Sequence, residues 1–211
     1  MSQRIVLFHS ALGLRPAVRS FAEKLRAAGH TVHTPDFYDG EVFDNLEAGV
    51  QKRDSLGYPE LMKRADKAVA DLPANLVYAG FSMGAGSAEH FAATRPGSRG
   101  AILMHGAYAP ELDGIKAWPG TVPVQVHYAK EDPWVDAKAI DALATLVKGA
   151  GAPFTVFTYP GAVHLFADEG YPDHVRASAW LMLERVLEFL AKVDLATVSK
   201  PSTHTAAEAR P

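Results

Sequence analysis

Short apolar runs alternate along this chain with longer stretches in which apolar residues recur every three or four positions. Runs of the first kind predict buried strands, and stretches of the second predict amphipathic helices. "RIVLFH" (4–9) is the first strand pattern. In "RPAVRSFAEKLRAAGH" (15–30), Val18, Phe21, Ala22 and Leu25 share one helical face, and Gly29 is placed to end the helix. "TVHTPD" (31–36) is a second short strand. Residues 37–57 have no clean period and read as a long loop with some helix. Pro59 opens a helical pattern, "PELMKRADKAVADL" (59–72), at a first-turn position that suits proline. The third strand, "NLVYAGF" (75–81), leads into the small-residue helix "AGSAEHFAATRP" (85–96). "AILMHG" (101–106), "VPVQVHYA" (122–129) and "FTVFTY" (154–159) supply three further strands. Helical patterns at 136–151 and 173–193 follow the last two of these.

Strands separated by helices predict the α/β class, with a mainly parallel sheet covered by helices on both faces. Ligands in such sheets bind beyond the carboxyl ends of the strands. A single domain over residues 1–193 is expected, with no internal repeat. The segment 194–211 has few large apolar residues after Val198 and is expected to be a flexible tail. The N-terminal "MSQRIVLFHSALGL" is interrupted by His9 and Ser10, so it reads as a first strand rather than a signal peptide.

The third strand meets its helix at Gly80-Phe81-Ser82-Met83-Gly84, which fits G-x-S-x-G. The strand–turn–helix context gives this spelling its meaning, because the sharp turn exposes a serine hydroxyl at the sheet edge. A serine hydroxyl needs a base in hydrogen-bond reach, and the base needs a group that fixes its tautomer. After the fifth strand pattern comes a polar loop with Glu131 and Asp132. Asp132 is the chosen acid, Glu131 is expected to point elsewhere, and Asp136 suits the cap of the next helix. After the last strand, Pro160 and Gly161 break the pattern and His164 follows. Ser82, Asp132 and His164 thus fall, in the order this architecture uses, in loops after three separate strands. The backbone N–H of Met83 and that of Ala11, in the "SALG" loop after the first strand, are the expected oxyanion donors.

Composition narrows the chemistry. Cysteine is absent, which excludes disulfides, thiolate metal sites and a cysteine nucleophile, and agrees with a cytoplasmic location. The net charge of −3 gives no reason to expect a nucleic-acid or membrane partner. His30 and His33 would face opposite sides of a strand, no H-e-x-x-H spelling occurs, and His105 and His127 read as satisfied histidines at strand ends. No metal site is therefore expected. No glycine-rich phosphate loop follows the first strand, so no cofactor is expected either. The connection from Tyr108 to Val122 is short and leaves little room for a lid.

The stretches "HSALGLRP", "AAGHTVHTPDFYDG", "GFSMGAG", "HYAKEDPWV" and "YPGAVHLF" resemble the dienelactone hydrolase family of α/β-hydrolases. That resemblance implies the α/β-hydrolase fold and assigns the family triad to Ser82, Asp132 and His164. Its best-characterised members carry cysteine where Ser82 stands, and a glutamate where Ser10 stands. The resemblance also suggests Arg53 as a clamp for a substrate carboxylate; Trp134, after the acid, and Phe37, Tyr38 and Phe166, which flank loops at the same edge, are candidate walls of an apolar pocket by their position. The expected function is hydrolysis of small-molecule esters, lactones or thioesters through an acyl-enzyme. The alternative is a ligand-binding or sensor protein on the same fold with little turnover.

Overall fold

The computed structural model describes residues 2–172 and 174–198. Six strands form one parallel sheet: β1 (Arg4–Phe8), β2 (Thr31–His33), β3 (Val77–Phe81), β4 (Gly100–Met104), β5 (Val124–Ala129) and β6 (Phe154–Tyr159), in the order β2-β1-β3-β4-β5-β6. Six helices connect and flank them: α1 (Pro16–Ala27), α2 (Leu46–Leu56), α3 (Tyr58–Val69), α4 (Met83–Thr94), α5 (Ala137–Gly149) and α6 (Arg176–Val198). The backbone of α6 continues past the boundary expected at residue 193, while 199–211, the rest of the expected tail, lie outside the described residues.

Side-chain alternation divides the core in two. Ile5 and Leu7 of β1 join Val77 and Ala79 of β3 on one face, where Val18, Phe21 and Leu25 of α1 and Met182, Val186 and Leu190 of α6 cover them. Val6 and Phe8, with Tyr78 and Leu103, face the other way onto Leu61 and Ala65 of α3, Ala88 and Phe91 of α4, and Leu143 of α5. Strands buried on both faces show continuous apolar runs, which is why their alternation is hidden in the sequence. Chain order jumps at β1, whose neighbours are β2 and β3, and the loops after β1 and β3 therefore open side by side.

The aperiodic segment 37–57 does contain helix. Asn45 caps α2, its Oδ1 accepting the Ala48 N–H at 2.9 Å. The expected helix is thus present, and the weak amphipathicity of α2, with Gly49 its one buried residue, is why its bounds are not legible in the sequence. A Cβ at Gly49 would lie 2.4 Å from the Ala11 carbonyl oxygen, so glycine lets α2 sit directly on the loop after β1. Between β4 and β5 the connection holds only a short 3-10 turn, Pro110–Asp113, in keeping with the expected lack of a large lid.

Candidate active site

Ser82 joins β3 to α4 with φ 51° and ψ −113°, a backbone conformation that L side chains rarely adopt. Its neighbours explain how the strain is held. A Cβ on Gly80 would come within 2.0 Å of the Gly84 carbonyl oxygen, and one on Gly84 within 2.5 Å of the His9 carbonyl oxygen. Both glycines let the first turn of α4 press against the ends of β1 and β3. Ser82 N–H donates to Met104 O at 2.7 Å and its carbonyl accepts from Ala85 N–H at 2.8 Å, which anchors the turn on both sides.

The structure brings the three sequence candidates into one line. Ser82 Oγ lies 2.7 Å from His164 Nε2, and His164 Nδ1 lies 2.8 Å from Asp132 Oδ2. The second Asp132 oxygen accepts the Trp134 N–H at 2.9 Å, and the Asp132 side chain is 0% exposed. A buried carboxylate with both oxygens engaged holds the imidazole with Nδ1 protonated and Nε2 free to accept. Glu131 is exposed and Asp136 caps α5 by accepting the Lys138 N–H, so the two carboxylates set aside take the places expected for them.

The loop after β1 is tightly wound. Gly13 N–H donates to Ser10 O and Leu12 N–H to Ser10 Oγ. These bonds occupy the two amides that follow Ala11, and Ala11 itself borders the same cavity as Ser82 and His164. Met83 is the first residue of α4, where an N–H has no partner within the helix.

Two cavities flank the serine. One, of about 230 Å3, is walled by Ala11, Ser82, His105, Trp134 and His164. The other, of about 520 Å3, lies between α2, α3, α4 and the turn after β4. Arg53, Tyr108 and Leu112 border both. Arg53 therefore reaches the site, with Asp54 Oδ1 at 2.8 Å from its guanidinium; that pairing holds its pKa above the usual arginine value. Trp134 is 53% exposed beside the His164 ring, and Phe37 borders the larger cavity.

Two expected pocket walls belong instead to the packing. Tyr38 is fully buried with its hydroxyl on Met83 Sδ at 3.4 Å, and Phe166 is buried against the rings of His105 and Tyr159. Loop position marked both as wall residues, but the loops fold back on the sheet edge and turn these rings inward. The reading of the two strand-end histidines also divides. His127 is satisfied by Tyr159 Oη and Gln125 Oε1. His105 is equally buried, has positive φ, and neither ring nitrogen has a hydrogen-bond partner; burial holds its pKa well below the ordinary histidine value, keeping it neutral. Among the described residues no three metal-ligating side chains cluster, and His30 Nδ1 accepts the Gln3 N–H.

Sequence reasoning missed two residues that build the site. His9 is buried and neutral, its pKa lowered to about 4 by desolvation; Nδ1 pairs with Ser10 O and Nε2 accepts the Phe37 N–H. Arg15, also buried, donates to Asp168 Oδ2, Phe43 O, Asp44 Oδ1 and Gly170 O. It thereby ties the loop after β1 to the one that carries His164. A histidine ending a strand and an arginine before a proline carry no sequence signal of such roles.

The sequence profile of the dienelactone hydrolase family matches residues 2–194. A Saccharolobus solfataricus protein whose name assigns it provisionally to the carboxymethylenebutenolidases is 24% identical, over 90% of this chain and 89% of its own. Among solved structures, a dienelactone hydrolase-like promiscuous phosphotriesterase from metagenomic libraries superposes with a TM-score of 0.72 at 21% identity, over 90% of this chain and 86% of its own. A thermophilic esterase from Thermogutta terrifontis, solved with propionate bound, superposes with a TM-score of 0.65 at 18% identity, over 91% and 84%. At these identities the superpositions speak for the α/β-hydrolase fold.

Proposed function

The chain belongs to the dienelactone hydrolase family of hydrolases, and we propose that it is a serine esterase that cleaves small-molecule carboxylic esters, lactones or thioesters through an acyl-enzyme. The observation that carries this reading is the unbroken line Ser82 Oγ, His164 Nε2, His164 Nδ1, Asp132 Oδ2, with separations of 2.7 and 2.8 Å. Ser82 Oγ attacks the acyl carbon as its proton passes to His164 Nε2. Negative charge gathers on the former carbonyl oxygen, where the N–H groups of Met83 and Ala11 receive it. The C–O or C–S bond to the leaving group breaks, and the imidazolium returns its proton to the departing oxygen or sulfur. Water then enters and gives a proton to Nε2 as its oxygen attacks the acyl carbon; the C–O bond to Ser82 breaks, Ser82 Oγ takes that proton back from Nε2, and the acid leaves.

Ser10 bears on the substrate. Its hydroxyl accepts the Leu12 N–H at 3.2 Å, so the position held by glutamate in the best-characterised relatives is here a neutral turn residue. Without a carboxylate there to compete for the Ser82 proton, activation needs no charged substrate. Neutral esters should turn over at least as fast as lactones that bear a carboxylate. A cytoplasmic location and action without cofactor, nucleic acid or membrane complete the proposal; no helix among the described residues is long and apolar enough to cross a membrane.

A fluorophosphonate label followed by peptide mass mapping tests the reading. The adduct is expected on Ser82 alone. Labelling of Ser10 or Ser87 with Ser82 untouched would overturn it.

A further inference from the structure

We propose that the 520 Å3 cavity beside Ser82 is the subsite for the acyl arm of the substrate, and that this arm is an uncharged, apolar group of about six to ten carbons. The proposal rests on the hydrolase reading above and goes beyond it by assigning the two sides of the scissile bond.

The assignment follows from the base. His164 must hand its proton to the leaving group, so the leaving group lies on the His164 side of Ser82. His164 and Trp134 wall the 230 Å3 cavity and not the larger one. The larger cavity is built from α2, α3, α4 and the turn after β4, reaches the nucleophile through Met83, the residue after Ser82, and includes neither His164 nor Trp134 in its wall. The acyl substituent is the part of the ester left to occupy it.

Reach agrees with this. The larger cavity runs along α4 from Met83, next to Ser82, to Gly86 and Ser87, which sit roughly 6–7.5 Å along the axis from Ser82 at 1.5 Å per residue. An acetyl group does not span that distance; a chain about five or six carbons past the carbonyl does. Tyr108 borders both cavities. Its ring packs on Gly86, where a Cβ would stand 3.2 Å from it, so the glycine lets the ring approach α4 closely. Leu112, 72% exposed, completes the rim over which a chain passes.

The lining sets the chemistry. Leu61, Met62, Met83 and Leu112 present apolar surface, with the Tyr58 and Tyr108 rings beside them. The charges at the border are already paired: Arg53 with Asp54, and Asp113 with the Tyr58 hydroxyl. An apolar occupant breaks neither pair. Two methionines give the wall an adaptable shape, which suits a range of chain lengths over a single one.

The test is a kcat/KM series on p-nitrophenyl esters from acetate to decanoate, run beside fluorophosphonate labelling of Ser82. Burying a methylene is worth about fourfold in kcat/KM, from about 0.8 kcal/mol per group. The series should rise between butanoate and octanoate. Met62→Trp, which fills the cavity from α3, should lower the octanoate-to-acetate ratio of kcat/KM at least tenfold. Leu112→Asp, a change at an exposed position that the fold tolerates, should lower the same ratio by placing a charge on the rim. Ser82 labelled but with activity flat or falling from acetate overturns the subsite and leaves the hydrolase standing. A ratio unmoved by both variants also overturns the subsite. Failure of Ser82 to label or to turn over any ester overturns the hydrolase reading and the subsite with it.

Discussion

Asp132→Asn should lower kcat by roughly 10³ to 10⁴ without unfolding the protein. The geometry gives the reason. One Asp132 oxygen accepts the Trp134 N–H at 2.9 Å and the other faces His164 Nδ1 at 2.8 Å. An asparagine has one oxygen to offer. The Trp134 amide requires that oxygen, which turns the NH2 group toward Nδ1. The imidazole must then accept at Nδ1 and carry its proton on Nε2, where it donates to Ser82 Oγ and is no longer a base. The reverse orientation sets NH2 against the Trp134 N–H, leaving both donors unmatched at a side chain that is 0% exposed, at a cost of about 1–3 kcal/mol. The tautomer switch thus wins, and a loss of 10⁴ corresponds to about 5.5 kcal/mol of transition-state stabilisation. Steady-state kinetics on a p-nitrophenyl ester reads the loss. Nitrogen-15 chemical shifts of His164 read the tautomer, and thermal melting checks the fold. Glu131→Gln, at an exposed residue, is the control and should change kcat little. A variant that keeps more than a tenth of wild-type kcat, or keeps the Nδ1 proton, would refute this account.

Three stability predictions accompany it. Arg15→Met should cost about 3–5 kcal/mol in urea denaturation, because it strands the Asp168 carboxylate, 9% exposed, whereas Asp44→Ala, at a partner 99% exposed, should cost less than about 1 kcal/mol; equal losses would show that burial does not govern the pair. Gly84→Ala should destabilise by at least about 1–3 kcal/mol and slow turnover, since its Cβ meets the backbone oxygens of Phe8 and His9 within 2.6 Å, and a neutral result by denaturation would contradict that clash. Burial raises the Glu89 pKa to about 8, so the folded state keeps a proton that the unfolded chain sheds near the ordinary carboxylate pKa of about 4.5. Stability from this group is therefore fully present below about pH 4.5 and drains away as pH rises to about 8. Glu89→Gln keeps an acceptor for the Tyr108 N–H, and its stability relative to wild type should climb across that window; a constant difference from pH 5 to 8 would rule the titration out.

The hydrophobic pattern alone determined the six strands, most of the helices and the α/β class, because each signal is local: a run buried on both faces, a 3.6-residue face, a glycine or proline at an end. Joined to the G-x-S-x-G spelling and the Ser, Asp, His order, it also marked Ser82, Asp132 and His164 as candidates, since loops after parallel strands emerge at one edge of the sheet. What the sequence did not carry depends on which loops meet. Arg15 touches Phe43, Asp44, Asp168 and Gly170, residues far apart in the chain, and no local pattern encodes that convergence. The helix expected somewhere in 37–57 could not be bounded from sequence, because α2 meets the loop after β1 through a glycine on a carbonyl oxygen and shows no apolar stripe. Tyr38 and Phe166 look alike in sequence to Phe37 and Trp134, yet the first two are packed inward while Phe37 and Trp134 border cavities. His105 follows β4 and His127 lies within β5; His127 pairs with Gln125 two residues back on its own strand and, across the sheet, with Tyr159, while neither ring nitrogen of His105 has a partner. Periodicity reports whether a residue is buried; what it is buried against is decided by the crossing of distant segments, and the acyl cavity between α2, α3, α4 and the turn after β4 exists only through that crossing.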